Sequence, residues 1–205
     1  MSLSDKWSVE DYDGNSYPVV QLGGQLWMGA NLNVHHFSNG DPIPECCDAA
    51  DYAMAGQKGE PARCYYDNLT ENGALYGSLY NWFAAHDPRG IAPKGWRLPT
   101  EEDWSTLEAY CEEQGLDARF LKQKSSWGID DAPEVDGFNA LPGGSRGING
   151  AFGGLGVNGY WWSYLPTPPT LSWGRKINKF HEGVEPIDSF QRFGFSVRCV
   201  REISG

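Results

Sequence analysis

The sequence predicts a single α+β domain made of an N-terminal hairpin, two helices and a strand-rich C-terminal half. Two apolar runs flank Gly23-Gly24, large apolar residues recur at helical spacing between residues 75 and 111, and glycine-rich aromatic sequence follows residue 137. A chain of 205 residues has the length of one domain. We assign residues 11–202 to it and residues 1–10 to an N-terminal extension. Its 26 glycines and nine tryptophans suit turns clamped by large rings better than a helical bundle.

In the hairpin, Tyr17 to Leu22 and Gln25 to Met28 are the strands, and the glycine pair tolerates the positive φ of a tight turn. Just before it, Asp11-Tyr12-Asp13-Gly14-Asn15 resembles the start of a calcium loop. Its glycine stands fourth instead of sixth, and Leu22 fills the twelfth position where a glutamate is required, so we read a turn. Residues 38–73 carry Pro42, Pro44, Pro61 and several glycines and read as loop. Leu75, Leu79, Trp82 and Phe83 then follow the i, i+4, i+7, i+8 pattern of one helix. For the second helix, Thr100 is placed to cap the first N–H groups, with Asp103 three residues on as in a capping box. Trp104, Leu107 and Cys111 line its buried face, and Gly115 ends it. Beyond it, Leu141-Pro142-Gly143-Gly144 and Phe152-Gly153-Gly154 are turns, and Tyr160 to Tyr164 is a strand. Phe193, Phe195, Val197 and Cys199 alternate with Gly194, Ser196, Arg198 and Val200, the period-2 pattern of a strand with one face in the core. The chain ends are expected to meet in one sheet.

Composition excludes several classes of partner. Lys and Arg number 16 against 27 Asp and Glu, a net charge of −11, and phosphate binding needs a basic face, so nucleic acid is not expected. Apolar runs such as Trp82-Phe83-Ala84-Ala85 are far too short for a transmembrane segment. The first residues, Met1 to Trp7, show no apolar signal core, which fits a cytoplasmic protein or the mature part of an exported one. Five cysteines (Cys46, Cys47, Cys64, Cys111, Cys199) are an odd number, and none forms a C-x-x-C pair. His35, His36, Cys46, Cys47 and Cys64 share one loop-rich region, but adjacent His-His and Cys-Cys cannot easily converge on one ion. A Cys64 bond to Cys46 or Cys47 in an exported protein is the better reading, and we expect no metal and no cofactor. No Gly-x-Ser-x-Gly and no phosphate-loop Lys-Ser/Thr follows the glycine runs, so no catalytic residues are assigned.

Seven separated motifs stand in order: Asp11–Asn15, Gln25–Leu32, Leu75–Trp82, Gly95–Thr100, Phe138–Gly144, Gly159–Ser163 and Gly194–Val200. Together they resemble the Fibrobacter succinogenes major paralogous domain family from about Asp11 to Glu202. The resemblance implies a C-type-lectin-like fold related to the formylglycine-generating enzymes, and a bacterial cell-surface or extracellular context. It does not imply a reaction, because function lives in sites grafted onto folds. Copper-dependent formylglycine chemistry needs two nearby C-terminal cysteines, and beyond residue 111 only Cys199 is present. The lectin calcium signature is absent; Glu185-Pro186-Ile187-Asp188 is a partial echo. Where relatives carry a cysteine before the Pro-x-Gly-Trp motif this chain has Ala92, so the resemblance leaves two options for Cys199: a bond to Cys111, or two buried thiols.

The informative segment is 163–193, bracketed by family motifs. Between them lies a mixed set of aromatic and charged residues, the layout of a binding surface presented on a fixed scaffold. We expect a non-catalytic module that binds a protein or glycan through Tyr164, Trp173, Arg175, Lys176, Asn178, His181, Glu182, Asp188, Phe190 and Arg192. Tyr164 and Trp173 would be stacking platforms, Trp173 and Phe190 apolar contacts, Arg175, Lys176 and Arg192 donors, and Glu182 and Asp188 acceptors. In position and texture the segment is similar to the variable region of diversity-generating retroelement targets. The alternatives are a formylglycine-generating-type enzyme and a structural scaffold domain of a surface protein; oligomeric state is open.

Overall fold

The computed structural model describes residues 7–116, 118–129, 137–164 and 171–203. Its N-terminal sheet is built on β1 (Ser8–Glu10), β2 (Ser16–Leu22) and β3 (Gln25–Met28). Gly23 takes φ 61° and closes the β2–β3 hairpin, whose register sets Leu22 opposite Gln25. The Asp11 turn is held by its own carboxylate, which accepts from the N–H groups of Asp13 and Asn15 at 2.9 and 3.0 Å. Ser8–Glu10, within the stretch assigned to the N-terminal extension, pair with β2 as the first strand of this sheet.

The middle of the chain departs most from expectation. Within the stretch read as loop, α1 (Ala49–Lys58) is capped by Asp48, which accepts from the N–H groups of Ala50 and Asp51, and ends on Gly59 at φ 72°. The helix expected over Leu75 to Phe83 is divided. After β4 (Arg63–Cys64), α2 (Thr70–Tyr76) stops at Gly77, β5 (Leu79–Tyr80) pairs back with β4, and α3 (Trp82–Ala85) starts from an Asn81 cap. Gly77 sits at φ 76°, ψ −172°, and a Cβ there would lie 2.8 Å from the Leu32 carbonyl oxygen, so the helix cannot run through it. Leu75 is accordingly 53% exposed. By contrast, α4 (Glu101–Glu113) forms as read, with a reciprocal Thr100–Asp103 capping box and Trp104, Leu107 and Cys111 buried.

A short α5 (Lys124–Trp127) precedes the second sheet, formed by β6 (Gly143–Arg146), β7 (Phe152–Leu155), β8 (Asn158–Trp162), β9 (Leu171–Asn178) and β10 (Val184–Phe190). Its order is β10-β9-β8-β6-β7, antiparallel except for the β6–β8 pair. The expected C-terminal strand ladders only as β11 (Val200–Glu202), which joins β3 and brings the two chain ends into one sheet in the order β1-β2-β3-β11. Upstream, residues 194–199 are buried on both faces, not one, and make single bridges to Arg146, Tyr80 and Trp161.

Three apolar clusters fill the interior: one around Trp162, Phe195 and Cys199, one around Trp27, Trp104, Phe138 and Trp161, and a small one under α1. Arg198 is fully buried within this frame. Its guanidinium donates to the Asn31 side chain and to the carbonyls of Met28 and Phe138, and lies 4.5 Å over the Phe138 ring. Arg146 does the same for the α1 side, donating to the carbonyls of Cys47, Asp48 and Gly150 and stacking over Tyr52 and Phe152. No disulfide joins the five cysteines. Cys111 belongs to the Trp27 cluster and Cys199 to the Trp162 cluster, so of the two options it is the buried thiols that the structure holds; burial pushes the Cys199 thiol up to about 12. No described helix is long and apolar enough to cross a membrane.

Candidate functional site

Strands β9 and β10 form a hairpin at one edge of the second sheet, with Ile177 opposite Val184 near the turn and Trp173 opposite Asp188 farther along. Side chains alternate across it, so Trp173, Arg175 and Ile177 share a face with Val184, Asp188 and Phe190. Toward the turn that face is covered: Ile177 is in the Trp27 cluster and Arg175 is 2% exposed. Farther along, the same face opens to solvent, with Trp173 36% and Phe190 48% exposed and Asp188 exposed between them. Pro186 and the charges of Glu185 and Asp188 blunt the free β10 edge against further strand pairing.

Arg175, expected among the ligand donors, lies on the covered stretch and is ion-paired within the frame. Its guanidinium pairs with both carboxylate oxygens of Glu101 and reaches Glu108 at 3.4 Å, clamping the hairpin to α4. Burial holds the Glu108 carboxyl above the usual range despite that cation. Lys176 is also committed internally, 2.8 Å from Glu185, and the Lys176 ammonium keeps the Glu185 carboxyl low. Asn178 shapes the turn: its amide donates to the Asn158 side chain at 2.7 Å, and its side-chain oxygen accepts from the Phe180 N–H at 2.8 Å. Lys122 fastens the same turn from below, donating to the carbonyls of Asn178 and His181 at 2.8 Å. Arg192 is half-buried, its stem packed where a Cβ on Gly56 of α1 would stand 3.0 Å away.

The remaining expected residues face outward. His181 sits 2.8 Å from Glu185 with its side chain 60% exposed, and Glu182 is 3.9 Å from Arg119 and 70% exposed. Phe180, at the turn, is the most exposed large apolar residue described, at 76%. Tyr164 is 45% exposed and lies away from the hairpin tip. Its N–H donates to the Pro99 carbonyl at 2.7 Å, and its ring stacks on His86 (5.6 Å between centroids, 10° between planes), which stacks in turn on Trp82 (3.2 Å, 16°). His86 was not expected at this site; four residues after Trp82, it carries a helical spacing that says nothing of the Tyr164 ring it meets. Burial lowers its pKa to about 4, so at neutral pH it is an uncharged plate in the stack. The described residues include no group of three or more His, Cys, Asp or Glu that could hold a metal ion.

The fold and site define an α+β protein in which a clamped edge hairpin presents aromatic and acidic side chains to solvent. Residues 20–201 match the Fibrobacter succinogenes major domain, and the chain belongs to that family. No curated protein and no solved structure matches it.

Proposed function

We propose that this chain is a non-catalytic binding module of C-type-lectin-like fold that grips a protein or glycan ligand with the solvent-open stretch of the β9–β10 hairpin. The observation that carries this reading is the placement of Trp173, Asp188 and Phe190 on the open stretch of a hairpin face that, nearer the turn, is buried and ion-paired to α4 through Arg175. Two half-exposed rings beside an acceptor, held on a rigid base, lose little conformational freedom when a ligand docks. Chain ends meeting in one sheet, a capped α4 and a second, mainly antiparallel sheet support the lectin-like reading. The family resemblance supports a cell-surface setting, and diversification by a retroelement would act on the segment that supplies this face.

Binding to a glycan array and to a displayed random-peptide library, each run with the native chain and with a Trp173→Ser, Phe190→Ser variant, tests the reading. The native chain is expected to enrich specific ligands that the variant loses at least tenfold. Equal ligand sets for both proteins, or none for the native chain, would reject it.

A further inference from the structure

Away from the hairpin face, two clefts open side by side where the segment between α3 and α4 meets the β1–β2 edge. One, of about 630 Å³, is lined by the stacked rings of His86 and Tyr164 and by Pro93, Lys94 and Trp96. The other, of about 480 Å³, runs from Lys94 and Trp96 to Trp7 and Arg201. Lys94 and Trp96 line both, so the two adjoin and make one track along the surface. Along it stand three rings: Tyr164 at 45% exposure, half-buried Trp96, and Trp7 at 62%. Rings spaced along an open groove suit a chain of pyranose units, whose C–H faces pack on aromatic planes.

The charge along the track differs from that of the molecule. In a chain of net charge −11, the only carboxylate lining either cleft among the described residues is Asp87, and Arg89 pairs with it at 2.8 Å. Arg97 is taken up by Asp103 and Glu202. Lys94 and Arg201 are exposed, and neither has a carboxylate partner among the described residues; Arg201 lies 5.4 Å over the Trp96 ring. Two uncommitted cations beside one indole match a ligand with about one carboxylate per ring. They are too few for the phosphate density of a nucleic acid.

We infer that this track is a second binding site, for an acidic polysaccharide of uronic acid units. Sugar faces pack on Tyr164, Trp96 and Trp7, and carboxylates pair with Lys94 and Arg201. The inference goes beyond the hairpin reading and shares only Tyr164 with it.

Calorimetric titration of the full chain with a uronic acid hexasaccharide tests it, alongside the methyl-esterified hexamer and a single-stranded DNA of equal charge. The hexauronate is expected to bind, with the ester and the DNA at least tenfold weaker. Lys94→Ala with Arg201→Ala should weaken hexauronate binding at least tenfold without changing the melting temperature, since both side chains are exposed. Trp173→Ser with Phe190→Ser should leave it intact. No heat at millimolar hexauronate, equal binding of ester or DNA, an unaffected Lys94/Arg201 variant, or loss of binding in the hairpin variant would each overturn the inference.

Discussion

Arg175 shows how a charged side chain in a surface-like segment can serve the frame. With its side chain 3% exposed and its guanidinium on Glu101 and Glu108, it holds β9 against α4. Arg175→Gln would leave the half-buried Glu108 carboxylate without its cation, so we expect a loss of about 1 kcal/mol at pH 7. Burial already raises the Glu108 pKa above its unfolded value, so the folded protein holds that proton more readily than the unfolded chain as pH falls. The penalty of the substitution should therefore shrink near pH 4, which paired urea titrations at the two pH values would measure. The sequence could not have placed Arg175 inside, because its main partner lies 74 residues away and no periodic pattern links them. Trp104, whose burial follows from helical spacing, was legible for the opposite reason.

Among the elements, those with a local chemical signature were readable. The Gly23-Gly24 turn and the Thr100–Asp103 capping box each fix a backbone geometry with residues a few positions apart. Elements set by distant contacts were not. Gly77 breaks the apparent helix because the Leu32 carbonyl and the Asn31 side chain crowd its Cα, a contact from the N-terminal part of the chain. Gly77→Ala places a Cβ 2.8 Å from that oxygen at a φ that L-residues avoid, and should cost at least about 2 kcal/mol by chemical denaturation. A neutral outcome would mean that the α2–β5 break is set elsewhere. The α1 helix is hard to read because it is short, carries Gly56 and buries only three residues, Tyr52, Ala55 and Gly56, so it shows no apolar stripe despite its alanines. The alternation at 193–200 gave an extended chain but concealed that its second face, with Arg198, is also buried.

Across the whole molecule, the segments that carry the family likeness are mostly interior. Trp27, Trp104, Trp161 and Arg198 are each fully buried and interlocked through Asn31, Phe138 and Gln25. Membership in the family thus reports the frame, which packing constrains. The solvent-facing residues obey no period, so the sequence could bracket the segment between two motifs but could not separate its buried side chains from its exposed ones. The central claim is that the exposed face can change while the frame holds. Thermal melting of a Trp173→Ser, Asp188→Asn, Phe190→Ser variant tests it most directly. Substitutions at such exposed positions should lower the melting temperature by less than about 5 °C, given that about 1 kcal/mol moves a chain of this size by 2–4 °C. A fall beyond about 10 °C would show that these side chains hold the fold together, and would contradict the account.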